Sequence, residues 1–246
     1  MKQIYFAVII GLLSASLSSC DSVVNSAEAS EVTYLPKLTM NGASEIDLGC
    51  NPSGGYADEG LIAVEQGKEI PVTTVVTGKY FDADAINGPD IYSISYSAAN
   101  KDGIPGAAER TVIWQECQGD LVNSIAGMYS SVVVRNGVSS AQYTDLGPVI
   151  VRDLGGGVYQ LSDAIGGYYD FGRGYGSDYA AKGMKIKANN IPANDFTHTD
   201  VVKVGLFAEP NNLTMTNFTV DPATKTIKFT TDWDAGFVFE VTLTQL

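Results

Sequence analysis

Apolar and polar residues recur at a two-residue spacing along much of the chain. No segment holds the i, i+3, i+4 spacing of a long amphipathic helix. The clearest alternation is DIYSISYSA at 90–98, with Tyr92, Ile94, Tyr96 and Ala98 on one face and Ile91, Ser93, Ser95 and Ser97 on the other. The turn Asn100-Lys101-Asp102-Gly103 then leads to a second run, ERTVIWQ at 109–115, which together indicate a hairpin. Shorter strand patterns precede it at 33–40, 44–48, 60–65 and 70–77. Beyond Gln118 the pattern predicts strands at 127–135, 147–154, 158–162, 168–171, 184–188, 201–208, 213–221, 226–232 and 237–244. Turn residues separate them: Gly155-Gly156-Gly157, Pro210-Asn211-Asn212, Asp221-Pro222-Ala223-Thr224 and Asp234-Ala235-Gly236. One helical turn at 120–127, capped by Asp120, is the exception. The fold class is therefore all-β, and many short strands joined by tight turns predict an antiparallel meander for the second half, curled into a barrel or flattened into a sandwich.

The N-terminus follows another pattern. Lys2 precedes an apolar run at 4–13 that is too short to span a membrane, and the run ends in Leu17-Ser18-Ser19-Cys20. Leu at −3, small residues at −2 and −1 and Cys at +1 resemble the bacterial lipobox. This implies a signal peptide at 1–19 and a diacylglycerol on the thiol of Cys20. Several acyl chains make a stable anchor. The segment DSVVNSAEASE at 21–31 is polar and unpatterned, so 20–31 reads as a flexible tether.

Composition narrows the function classes. With 45% hydrophobic and 17% charged residues, the 246-residue chain can build cores, and its length suits two domains. The formal net charge is −13; removal of the leader, with one lysine and no acid, leaves 14 basic against 28 acidic side chains, or −14. Such acidity argues against nucleic acid and against electrostatic attachment to anionic lipid. A single histidine, His198, is a poor triad member and a poor metal site. Asp163, Asp170 and Asp178 could in principle pair for glycoside hydrolysis, but acids on the loops of an acidic protein are expected anyway. Asp82 and Asp84 alternate before Gly88, yet Ile86 occupies a would-be ligand position, and an Asx-rich turn is the better account than calcium. The expectation is no enzyme, no cofactor and no metal.

Two resemblances follow from named segments. Met40-Asn41-Gly42, the run from Gly55-Tyr56 to Asp58-Glu59-Gly60, the segment from Pro89 through Tyr92 to Tyr96, and Arg110-Thr111-Val112 resemble the immunoglobulin-like domains of Bacteroidetes surface proteins. That implies an Ig-like β-sandwich at 32–118. In such sandwiches an early strand pairs in parallel with the last one, and this would bring Cys50 and Cys117 together as a disulfide; two separate thiols are the alternative. The remainder, 119–246, resembles a β domain of unassigned function that recurs behind that module in lipoproteins of polysaccharide-utilisation systems. Its pieces are Gly119-Asp120-Leu121, Gly147-Pro148-Val149, 157–163, 166–176 and 229–239. The resemblance implies an outer-membrane or cell-surface location, glycan handling and outer-membrane transport proteins as partners.

The stretch at 158–186 carries the densest run of tyrosine and glycine. Tyrosine offers a flat apolar face for a pyranose and a hydroxyl for hydrogen bonding. Tyr168, Tyr169, Tyr175 and Tyr179, with Arg173 among them and Trp233 at a strand end, are the candidate ligand-binding residues for a polysaccharide or oligosaccharide. On a strand, Tyr168 and Tyr169 would face opposite sides of the sheet. The competing expectation is that these rings fill the core, in an assembly subunit without a carbohydrate ligand.

Overall fold

The computed structural model describes residues 32–50 and 55–246. The leader, the tether and Cys20 lie outside the described residues. Among those residues the molecule is almost wholly β, and no helix is long and apolar enough to cross a membrane.

Two sheets face each other in the first half. Strands β1 (Lys37–Met40), β3 (Leu61–Glu65) and β4 (Lys68–Ile70) form one, in the order β1-β3-β4. Strands β2 (Glu45–Cys50), β5 (Thr73–Gly78), β6 (Asp90–Ala99) and β7 (Pro105–Gln115) form the other, in the order β2-β7-β6-β5. The alternation at 90–98 is realised: Tyr92, Ile94, Tyr96 and Ala98 are buried, and the first three pack with Val112 against Met40, Leu61 and Val76. Strand β2 runs parallel to β7, with Ile46 opposite Val112 and Asp47 opposite Ile113. This pairing carries both chains to the same end of the sheet, where a disulfide joins Cys50 and Cys117 with their Cα atoms 5.0 Å apart.

Arg110 is the largest fully buried side chain of this half. It pairs with Asp58 and donates to the carbonyls of Asn41 and Ala43, while the Tyr96 hydroxyl donates to Asp58 at 2.7 Å. A buried charge is tolerated only with such full pairing.

The second half is one antiparallel sheet of nine described strands: β8 (Gly127–Arg135), β9 (Leu146–Asp153), β10 (Val158–Leu161), β11 (Lys185–Asn190), β12 (Asp195–Thr197), β13 (Val201–Val202), β14 (Leu213–Asp221), β15 (Thr226–Trp233) and β16 (Phe237–Gln245). Their order is 12-11-10-9-8-16-15-14-13, two meanders joined where the last strand pairs with the first of this half. The two edge strands, β12 and β13, are separated by only residues 198–200, a span of at most about 14 Å. The sheet must therefore curl until its edges nearly meet. Asn194 bridges the gap by accepting the Val220 N–H at 2.6 Å. Inside the curl lie Tyr129, Leu161, Ile186, Phe229, Phe239 and Leu243, all fully buried or nearly so.

Three expectations are corrected. Residues 168–171 are not a strand but part of a single π-helical turn, Tyr168–Gly172. Of the run 201–208 only Val201–Val202 is strand. The apolar residues that follow fold over a buried side chain, Asn211, which accepts the Val204 N–H and donates to the carbonyls of Val204 and Phe207. The expected helical turn at 120–127 does not form: residues 121–123 make bends and Gly127 already opens β8, although Asp120 does accept the N–H groups of Val122, Asn123 and Ser124.

The halves touch across residues 79–90. Lys182 pairs with Asp82 at 2.5 Å, and the Arg152 guanidinium lies 4.0 Å above the Phe81 ring.

Candidate functional site

The aromatic segment is built outward from Asp163, just beyond the end of β10. Its carboxylate is buried and accepts three backbone N–H groups, from Ile165 (2.9 Å), Gly167 (2.9 Å) and Ala181 (3.0 Å). One side chain thus ties the start of the segment to its end. Burial pushes this carboxyl up to about 6, and the three N–H bonds only partly oppose that. Gly166 follows with φ +65, and a Cβ there would sit 2.6 Å from Ser131 Oγ and 2.7 Å from Val241 Cγ1. The segment can settle onto β8 and β16 only because that side chain is missing.

The π turn then closes with the Gly172 N–H donating to the Gly167 carbonyl at 3.0 Å and the Arg173 N–H to that of Tyr168 at 3.0 Å. This tight turn directs both consecutive tyrosines inward, whereas a strand would have separated them. Tyr168, 1% exposed, stacks on Tyr143 at 4.1 Å beneath the Arg135 guanidinium at 4.9 Å. Tyr169, 7% exposed, meets Phe207 at 4.7 Å and Trp233 at 6.1 Å. Trp233 is 3% exposed and donates its indole N–H to Asn211 at 3.0 Å. The reading of Tyr168, Tyr169 and Trp233 as open platforms is therefore corrected: they form a floor. They are inside because the sheet curls over them and the glycines let the segment fold back.

What remains at the surface is a rim. Tyr175, 51% exposed, stacks over Tyr169 at 5.9 Å with an interplanar angle of 16°. Half-buried Tyr179 braces it edge-on at 5.3 Å and in turn meets Phe207 at 5.1 Å. Arg173 is exposed, with its guanidinium 5.8 Å from the rings of Tyr143 and Tyr168. Loop 204–207 is locked to this rim: the Gly205 N–H donates to the Ala180 carbonyl and the Leu206 N–H to that of Asp178, both at 3.1 Å. Gly205 has φ +43, and a Cβ on it would come 2.3 Å from the Asp178 oxygen. Beside the rim opens a cleft of about 300 Å³ with Asp178, Lys182, Lys203 and Leu206 among its walls.

Of the six side chains expected to touch a ligand, Tyr175, Tyr179 and Arg173 thus share one surface and the other three support it. Phe207, Tyr143, Asp163 and Asn211 went unread as parts of this arrangement. Only Asp163 carried a signal, as an acid next to a glycine-rich turn. Of the acids considered together, Asp163 is engaged by backbone, and Asp170 is buried and shifted upward, chiefly by that burial and against the pull of Lys79 and Lys182. Among the described residues no three His, Cys, Asp or Glu side chains gather to hold a metal ion. The arrangement offers ring faces, a guanidinium, and mixed donors and acceptors at a solvent edge.

No curated protein is significantly similar to this chain. Among solved structures, the crystal structure of the lipoprotein BT2262 from Bacteroides thetaiotaomicron matches with a TM-score of 0.51, covering 86% of this chain and 100% of that chain at 24% identity. That likeness shows a shared fold. A family model of a C-terminal domain matches residues 118–245, just over half of the chain and the whole curled sheet with its aromatic segment. The chain belongs to the family which that C-terminal-domain model describes.

Proposed function

We propose that this is a lipid-anchored envelope protein, held through Cys20 at the outer membrane or cell surface, and a non-catalytic glycan-binding accessory of a polysaccharide-uptake system. The segment 1–19 is its signal peptide and 20–31 its tether. The half at 32–118 is an Ig-like spacer, and the half at 119–246 carries the ligand. The lipobox pattern supports the anchor, as does the fold shared with a protein described as a lipoprotein.

The observation that carries the glycan reading is the Tyr175 ring. A half-exposed aromatic is ordinarily mobile, but this one is stacked on buried Tyr169 and braced by Tyr179. A pre-oriented ring face loses little freedom on binding. Arg173 at the rim and Asp178 in the neighbouring cleft supply polar groups for sugar hydroxyls. The test is retention of the chain from Ser22 onward in affinity gels containing neutral polysaccharides. Retention on one polysaccharide, weakened at least tenfold in Tyr175→Ala and Tyr179→Ala with folding intact, is the expected result. Retention that survives both substitutions removes the site from the reading.

A second reading rests on Leu206, 71% exposed in the loop whose backbone is bonded to the carbonyls of Asp178 and Ala180. An apolar residue so placed also suits a partner protein, such as an outer-membrane transport protein. Absence of retention on any polysaccharide, with co-purification of an envelope protein lost in Leu206→Asp, would favour this assembly role.

A further inference from the structure

A cleft of about 840 Å³ between the halves has Trp114, Glu116 and Arg152 in its walls, but Trp114 is a core residue, and Glu116 Oε2 and Arg152 Nε are sealed. Chemistry that does reach solvent lies at the mouth of the curled sheet. Arg135 ends β8, and its guanidinium lies 4.9 Å from the centre of the Tyr168 ring and 4.7 Å from that of Phe237. Arg173 leaves the π turn and brings its guanidinium 5.8 Å from the centres of both Tyr143 and Tyr168. Tyr143 is kept beside that turn by its neighbour Gln142, whose amide donates to the Gly172 carbonyl at 2.7 Å. The two arginines act on the same hydroxyls. Burial raises those of Tyr143 and Tyr169, and Arg135 and Arg173 each pull them back. Arg173 is exposed and Arg135 partly so. Neither makes an ion pair among the described residues, although the chain carries 28 acids against 15 bases.

We propose that Arg173, with Arg135 behind it, makes the tyrosine rim selective for a saccharide that bears an acidic substituent, a uronate carboxylate or a sulfate ester. This deepens the glycan reading and rests on it. A guanidinium donates and cannot accept, so two of them without a carboxylate suit a group made only of acceptors. A neutral hydroxyl would leave both charges unanswered. Carboxylate and sulfate oxygens match the fork of an arginine, which holds two of them at once. The rings beside each guanidinium hold it without cancelling its charge, so little freedom is lost on binding. Tyr175 follows Arg173 by two residues, a backbone span of at most about 7 Å. A ring stacked on Tyr175 and an acidic substituent at Arg173 therefore belong to the same sugar unit or to adjacent ones. The net charge of −13 disfavours anions over the remainder of the surface, so anion binding reports on this pair.

The chain from Ser22 onward is titrated by calorimetry, at physiological ionic strength, with two matched pairs of sugars. Trigalacturonate is set against its methyl ester, and a κ-carrageenan tetrasaccharide, which has sulfate but no carboxylate, against its desulfated form. The expected result is that at least one acidic sugar binds at least tenfold more tightly than its neutral counterpart, and the pair that does so separates carboxylate from sulfate. Arg173→Gln should abolish this preference and Arg135→Gln reduce it, whereas Lys185→Gln, at an exposed lysine of β11, should leave it intact. Circular dichroism checks folding, and because Arg173 is exposed its variant keeps the test valid if Arg135→Gln fails to fold. Equal binding within both pairs, lost in Tyr175→Ala, would overturn the proposal and leave the rim reading standing. No binding of any of the four, with retention on a neutral polysaccharide gel, would do the same; with no retention anywhere, both readings fall. A preference that survives Arg173→Gln, or that falls as far in Lys185→Gln, would also overturn it. So would inorganic sulfate binding as tightly as the acidic sugars, which would make this an anion site with no part in glycan recognition.

Discussion

Asp163 holds both ends of the aromatic segment through one carboxylate. Removing it in Asp163→Ala strands three buried N–H donors, and chemical denaturation should show a loss of about 3 kcal/mol or more. The same group makes stability depend on pH. Its carboxyl sits at about 6 in the folded protein against an ordinary value of 3.8, so the folded state binds more protons than the unfolded state between those limits. Stability attributable to Asp163 is therefore greatest below about pH 4 and falls as pH rises toward 6, by up to about 3 kcal/mol. Glu116, held at about 7 against 4.5, acts with the same sign over a window reaching slightly higher. Denaturation midpoints of Asp163→Asn and Glu116→Gln between pH 4 and 8 should each show a shallower decline than the parent chain. A parallel decline in both variants would contradict these assignments. Two aromatic residues give a further contrast at this scale. Trp233→Ala should cost about 3–5 kcal/mol, whereas Tyr175→Ala should change the midpoint little.

At the scale of elements, the segment 163–181 and loop 204–207 behave as one built surface. Gly205 is where their backbones approach, and its positive φ adds to the steric demand. Gly205→Ala should separate the two, with hydrogen exchange at Gly205 and Leu206 rising at least tenfold while the amides of β14 to β16 stay protected. Unchanged protection would mean that the loop is held by side-chain packing alone. How far each element was readable depended on what decides it locally. Strands β6, β7 and β14 to β16 were legible because alternation and turn residues are properties of neighbouring positions. The π turn was not, because YYDF has the composition of a strand, and the hydrogen bonds that close it depend on Asp163 and the glycines around it. The run at 201–208 misled for a related reason: its backbone groups are satisfied by the side chain of Asn211 and by the carbonyls of Asp178 and Ala180, and alternation carries no trace of those partners.

For the whole molecule, the Cys50–Cys117 bridge closes 67 residues around the first half. In the chain-entropy model a loop of that length stabilises by about 4 kcal/mol. Reduction, or the double substitution Cys50→Ala/Cys117→Ala, should lower the thermal midpoint of the first half and leave amide protection in the nine-stranded sheet largely unchanged. Loss of protection in both halves together would show that they fold as one cooperative unit.

The amino-acid sequence determined the all-β class, most strand positions and the turns between them, since each rests on spacing and on the conformational limits of single residues. It also placed aromatic surface and glycine together in one segment. Only the tertiary structure decided which rings are floor and which are rim. Burial of Tyr168, Tyr169 and Trp233 follows from β16 pairing with β8 and from the curl that brings β12 toward β13, contacts between residues far apart in the chain. The cleft walled by Trp114, Glu116 and Arg152 is of the same kind. No local pattern encodes it, because it lies where two separate hydrophobic cores meet.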